Sequence, residues 1–274
     1  DDYRAEMKHW YNGFRFSKFG KTTVYNPISI ALTLIKKEPV FSATWASTGR
    51  PSMLMNYLKR EDMLRIDPEA TQRVRASAFD VAELRYLKPI PLLYQSGYLT
   101  IRDYKDTLFT LGVPDEEVRQ DLCTLMTAVA GNESAYWASE LGDNLLAGQW
   151  DRFFEGLQSL YAAMAYGSTE RCVHENSYGR CLSFLLASCG FDFTMEHVQS
   201  DGRADVIAKH PAEVCIFELK VDEPVDKAFA QIREKGYAEP FKADSRPVWL
   251  IGLSFDSKTR RLVDFAAEEM RDGR

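Results

Sequence analysis

Three charged residues break two apolar runs in the last third of the chain. Asp205 interrupts Gly202-Arg203-Ala204-Asp205-Val206-Ile207, just after the turn Ser200-Asp201-Gly202. Glu218 and Lys220 interrupt Val214-Cys215-Ile216-Phe217-Glu218-Leu219-Lys220. On a strand, residues two apart share a face, so Glu218 and Lys220 point together while Phe217 and Leu219 point to the opposite, buried face. Two neighbouring strands can then set Asp205 beside Glu218, with Lys220 one step along. Glu-x-Lys alone is uninformative, because residues this common meet at that spacing by chance. On an ordinary strand the pair would be an exposed ion pair worth about 0.2–1 kcal/mol. Its place inside apolar runs gives it weight, since charges there need partners or a metal.

The chemistry that calls for such a set is phosphodiester hydrolysis. A hard divalent cation neutralises the developing charge and lowers the pKa of an attacking water. Mg²⁺ (or Mn²⁺) takes oxygen ligands, commonly one or two carboxylates, with waters and substrate oxygens filling the rest. Asp205 and Glu218 would supply the carboxylates, and the backbone carbonyl of Leu219 a further ligand. Lys220, kept charged by the adjacent acids, can orient the water and stabilise the transition state. Upstream, Glu175 opens a helix and could complete the acidic cluster or hold a metal-bound water. A favourable acid at a helix N-terminus is the competing explanation. Tyr178, three residues on, shares that helix face if the helix begins early. Downstream, Gln231 could bind the water or a phosphate oxygen. Tyr237, Lys227, Arg233 and Lys235 lie on or near the same helix, and with Arg203 they are candidates for substrate contact.

Several elements must position these residues. Trp150–Ala165 and Ser177–Ser188 have helical apolar spacing, the second stopped by Gly190. Strands are expected over Phe191–Gln199, Arg203–Lys209 and Glu213–Val221. A helix over about Pro224–Glu239 follows, then strands over Pro247–Phe255 and Arg261–Phe265. Earlier, Asn12-Gly13 between aromatic triplets favours a tight hairpin turn. Asn26-Pro27 reads as a cap and first residue of a helix over about Ile28–Lys37. Ser52–Arg60 and Pro68–Leu87 read as helices. Tyr98–Ile101 and Thr107–Leu111 read as strands across a charged turn, Arg102–Asp106, and Pro114 to Glu117 opens another helix. Helix, hairpin, helix would suit a winged-helix-like unit or a plain connector. The boundary is expected near residue 125, between a mostly helical region and one α/β unit over 126–274.

Composition narrows the class. The 274 residues are 45% hydrophobic and 27% charged, ordinary for a globular protein. No apolar run approaches the ~18 residues of a membrane span. The opening Asp1-Asp2-Tyr3-Arg4 lacks signal-peptide order and an initiator Met, as expected of a fragment or processed chain. Five scattered cysteines without a C-x-x-C pair read as reduced thiols of a cytoplasmic protein. The four histidines form no H-x-x-x-H pair. Without a G-x-x-x-x-G-K-[ST] loop, no ATP site is expected. The net charge of −6 is uneven: residues 1–125 carry 18 Lys+Arg against 16 Asp+Glu, and residues 126–274 carry 16 against 24. A polyanion meeting the second half needs a local basic rim or bound cations.

At Asp205, Glu218-x-Lys220 and the helix with Gln231, preceded by a helix carrying Glu175, the sequence resembles the PD-(D/E)XK nuclease superfamily over about residues 165–268. The expected element order fits that family's αβββαβ core. More narrowly, Trp10 to Phe16, Val24-Tyr25-Asn26-Pro27, Leu92 to Thr100 and Gln231 to Phe241 look like bacterial proteins joining an AAA-ATPase-like region to a C-terminal nuclease. The resemblance implies that the chain begins after a nucleotide-binding part. It implies a restriction-endonuclease-like fold with a mixed central sheet. Asp205 and Glu218 would be metal ligands, Lys220 the catalytic lysine, Glu175 the acid of the first core helix and Gln231 the accessory polar residue. Ala204 stands where the family name has Pro. The expected activity is metal-dependent cleavage of nucleic acid, DNA first. The alternative is an inactive nuclease-fold module that binds nucleic acid, or a protein partner through residues 1–125.

Overall fold

The computed structural model describes residues 2–36, 41–44, 54–55, 57–58, 66–68, 70–79, 88–167, 175–195 and 205–270. The chain divides into two units, Asp1–Leu125 and Met126–Arg274.

In the first unit, α1 (Asp2–Tyr11) leads into β1 (Asn12–Phe14), which pairs with β2 (Val24–Tyr25). Helix α2 (Pro27–Ile35) starts where the sequence indicates: the Asn26 side chain accepts the Ile28 N–H at 3.1 Å, and Pro27 occupies the first turn. Then come β3 (Gln72–Arg75), a 3₁₀ turn (Ala76–Phe79), α3 (Pro89–Gln95), β4 (Thr100–Lys105) and β5 (Leu108–Gly112). The three strands form an antiparallel sheet in the order β3-β5-β4. Helix α4 (Glu116–Gly131) is capped by Asp115, whose carboxylate accepts the Val118 N–H at 3.1 Å.

Three local expectations are corrected here. Asn12-Gly13 is not a hairpin turn. It follows a helix and lies in a strand, where a Cβ on Gly13 would fall 1.6 Å from the Pro114 carbonyl oxygen. Close backbone approach, not turn geometry, accounts for that glycine. The expected helix over 68–87 begins instead with strand β3, because Gln72-Arg73-Val74-Arg75 alternates and pairs with β5. The rest of that span, 80–87, and most of the expected helix over 52–60 lie outside the described residues. The turn expected over 102–106 shrinks to Asp106-Thr107, both at positive φ, because β4 runs on to Lys105.

The second unit holds α5 (Ala135–Leu146), α6 (Trp150–Gly167), α7 (Glu175–Ser188), β6 (Asp192–Met195), β7 (Val206–Lys209) and β8 (Val214–Val221). They are followed by α8 (Val225–Glu234), a 3₁₀ turn (Glu239–Phe241), β9 (Val248–Asp256) and β10 (Arg261–Glu269). From α7 to β9 the order is αβββαβ. The sheet runs β10-β9-β8-β7-β6, with β8 and β9 parallel and every other pair antiparallel, so it is mixed as expected. Helix α5 has no counterpart in the sequence reading. Gly142 and Asn144 weaken its propensity, and packing against α6 and α7 supports it instead.

The central strand β8 has neighbours on both edges and helices over both faces, which is why Val214 to Phe217 are all buried. One face, with Val214 and Ile216, joins Val248 and Leu250 against Phe229 and Ile232 of α8. On the other face Phe255 of β9 stacks on Tyr178 of α7 at 4.2 Å and meets Tyr161 of α6 edge-on at 4.9 Å. Each such large apolar side chain contributes about 1.5–3 kcal/mol by burial.

Candidate active site

The β7–β8 register sets Val206 opposite Phe217, and one further step brings Asp205 opposite Glu218. Asp205 Oδ2 accepts the Leu219 N–H at 2.7 Å. This bond ties the residue ahead of β7 to the middle of β8. Alternation along β8 puts Glu218 and Lys220 on the face covered by α8, the face of Val214 and Ile216. There Lys220 Nζ donates to Glu218 Oε1 at 2.7 Å, the side chains being 15% and 1% exposed. Lys220 Nζ also donates to Gln231 Oε1 of α8 at 2.7 Å. Gln231 Nε2 donates in turn to the Tyr237 hydroxyl at 3.2 Å.

Burial, and then the charge of Asp205, push the Glu218 carboxyl up to about 7 against the pull of Lys220. Glu218 Oε2 is buried and has no hydrogen-bond partner among the described residues. A buried carboxylate with one open oxygen, next to a second acid, is a costly arrangement that a cation would relieve. Among the described residues no group of three or more His, Cys, Asp or Glu side chains gathers. Two carboxylates with an open buried oxygen fit a hard cation that takes its other ligands from water and substrate.

Of the remaining sequence candidates, the side chains of Tyr178, Lys227, Arg233 and Lys235 are among those described. Glu175 is the first residue of α7, and its side chain lies outside the described residues, as does all of Arg203. Tyr178 is a correction. Its ring is 6% exposed and packed on Phe255, on the sheet face opposite Glu218 and Lys220. The residue shares the helix of Glu175, but helix periodicity alone could not tell which sheet face that helix covers. Lys227 and Lys235 are exposed. Arg233 is exposed and paired with Glu268 of β10. Leu219 donates its N–H to Asp205, and because a residue's N–H and C=O leave a strand on the same edge, the carbonyl suggested by the sequence faces that edge as well.

One supporting residue escaped sequence reasoning. Ser254 of β9 lies beside Lys220 in the ladder, 3% exposed, and its hydroxyl donates to the Glu223 carbonyl. It anchors the chain where it leaves β8 for α8. The available signal was a polar residue inside the apolar run of β9.

No helix among the described residues is long and apolar enough to cross a membrane. No solved structure matches the chain. The chain is 30% identical over 288 residues to an Azotobacter chroococcum mcd 1 protein described as "Uncharacterized protein in vnfD 5'region". The alignment covers 97% of this chain and 53% of the relative, so the chain spans about half of that protein's length. With the αβββαβ order and the paired acids beside a lysine in view, the family comparison falls on the same part of the chain: residues 173–265 match the family model of the PD-(D/E)XK nuclease superfamily.

Proposed function

We propose that the second unit is a metal-dependent nuclease that hydrolyses phosphodiester bonds, with DNA as substrate. The observation that carries this reading is the buried Glu218 carboxylate, one oxygen held by Lys220 and the other open, with Asp205 next to it. Asp205 and Glu218 would hold Mg²⁺ or Mn²⁺, which when bound supplies charge neutralisation at the scissile phosphate and acidifies a water. Lys220 Nζ lies between Glu218 Oε1 and Gln231 Oε1, donating to both. Its ammonium orients the attacking water and meets the negative charge that grows on phosphate oxygens. Gln231 holds that ammonium in place, and the Asp205–Leu219 bond keeps the two carboxyl-bearing strands in register. Glu175, at the start of α7, is a further candidate for the acidic cluster.

The test is direct. Mn²⁺ titrated into the purified chain should bind, and linear and supercoiled DNA should be cut only with metal present. Asp205→Asn should abolish both binding and cleavage, whereas Lys220→Ala should abolish cleavage and spare binding. A chain that neither binds Mn²⁺ nor cuts DNA is instead a nuclease-fold scaffold.

A further inference from the structure

Helix α8 ends in a cap that reaches back to the candidate site. Gly236 has a φ of +66°. Its N–H donates to the Arg233 carbonyl at 3.2 Å, and the Tyr237 N–H donates to the Ile232 carbonyl at 3.1 Å. These are the paired bonds of a Schellman stop, which needs a left-handed residue at this position. The turn folds Tyr237 back into the apolar cluster with Ile232 and Phe241, leaving it 6% exposed. Its hydroxyl there receives the Gln231 amide N–H at 3.2 Å, while Gln231 Oε1 faces Lys220 Nζ at 2.7 Å.

An ammonium carries three protons in fixed tetrahedral directions and no acceptor. Among the described residues Lys220 uses two of them, toward Glu218 Oε1 and Gln231 Oε1. With two directions pinned, the third is determined, and it is the one left for a reacting water or phosphate oxygen. The pin at Gln231 depends on how its amide is turned. Only with Oε1 toward Lys220 does donor meet acceptor, and Nε2 then needs an acceptor of its own. Tyr237 provides it.

The geometry points to Tyr237 as a positioning residue: acting through Gln231, it holds the third N–H of Lys220 in one direction, and the Gly236 turn sets it there. This rests on the reading of the site as a phosphodiesterase centre. It moves Tyr237 from substrate contact, the role its spacing suggests, to a group that acts through another side chain.

Tyr237→Phe in the whole chain keeps the ring and removes the acceptor. The expected result is a kcat lower by about tenfold, with KM for linear DNA and Mn²⁺ affinity unchanged. Gln231→Leu should lose a similar factor, and the double variant little more, because both remove the same link. A raised KM with intact kcat would make Tyr237 a substrate contact and overturn the inference. Unchanged kcat in Tyr237→Phe, or independent losses that multiply in the double variant, would overturn it too. If the wild-type chain cuts nothing, the phosphodiesterase reading fails by itself. The link is then read by nitrogen-15 NMR of the Gln231 side-chain amide and the Lys220 ammonium. Both signals should shift in Tyr237→Phe, and an unmoved Lys220 signal would overturn the link.

Discussion

Each unit buries a glutamate, and the two are treated differently. Glu117 in the first unit is fully buried. Its oxygens accept from the Ser29 hydroxyl at 2.8 and 2.7 Å and from Thr44 N–H and Oγ1 at 3.0 and 2.7 Å, with Asn26 Nδ2 at 3.5 Å. Neutral donors close around the carboxylate and tie α2 and residue 44 to the start of α4. Glu218 in the second unit is as deeply buried, yet one oxygen has no donor among the described residues, and a second acid stands close by. Enclosure by donors makes a buried charge structural. An open oxygen next to like charge leaves it available to a ligand.

The contrast can be broken most severely at the site itself. Asp205→Asn or Lys220→Ala should lower DNA cleavage by at least about 10²–10³-fold, with the melting temperature nearly unchanged in Asp205→Asn, whose amide oxygen can still accept the Leu219 N–H. Equal cleavage in both variants would remove the functional half of the comparison. Glu117→Ala should do the reverse. It strands the donors of Ser29, Thr44 and Asn26 and should cost about 3 kcal/mol in urea unfolding, leaving Mn²⁺ binding intact.

The pH dependence sharpens the comparison. An unfolded glutamate titrates near 4.5, and the folded Glu218 carboxyl lies at about 7. Its contribution is therefore fully present below about 4.5 and is lost as pH rises through about 7. The metal-free protein should become less stable between those values, and Mn²⁺, which competes with the proton, should restore more stability at pH 8 than at pH 5. Glu218→Gln should raise metal-free stability at pH 8 by about 1–3 kcal/mol and abolish the Mn²⁺ effect. Asp115 of the first unit is also pushed up to about 7 by burial, so Asp115→Asn should flatten part of the same slope without touching the Mn²⁺ effect. A metal-free protein whose stability is level across this range would contradict both assignments. The smallest effect is expected at Gly236→Ala, where an L side chain at positive φ should cost about 1 kcal/mol in thermal unfolding.

Much of the second unit was readable before any coordinates. The strand runs around Val206, Ile216, Leu250 and Leu262 alternate or bury continuously, and such short-range patterns fix an element and its faces. Readability failed where tertiary contacts overrode local preference. Gln72 to Arg75 became a strand because β5 lies alongside, and Asn12-Gly13 a strand because β2 pairs with it, with Pro114 close against Gly13. Helix α5 rests on α6 and α7 more than on its own composition. Tyr178 went to the wrong side because helix spacing says which residues share a stripe but not which sheet face the stripe meets.

By itself, the sequence determined that Glu218 and Lys220 sit as charges inside an apolar strand and share a side, and that Asp205 stands at the head of another apolar run. A period of two residues is a local property of the backbone. Only the tertiary structure decided that Asp205 meets the Leu219 N–H, that one oxygen of Glu218 is buried without a described donor, and that Gln231 reaches Lys220 while Tyr237 reaches Gln231. Those outcomes depend on strand register and on how α8 lies across the sheet, which the packing of residues distant in sequence sets.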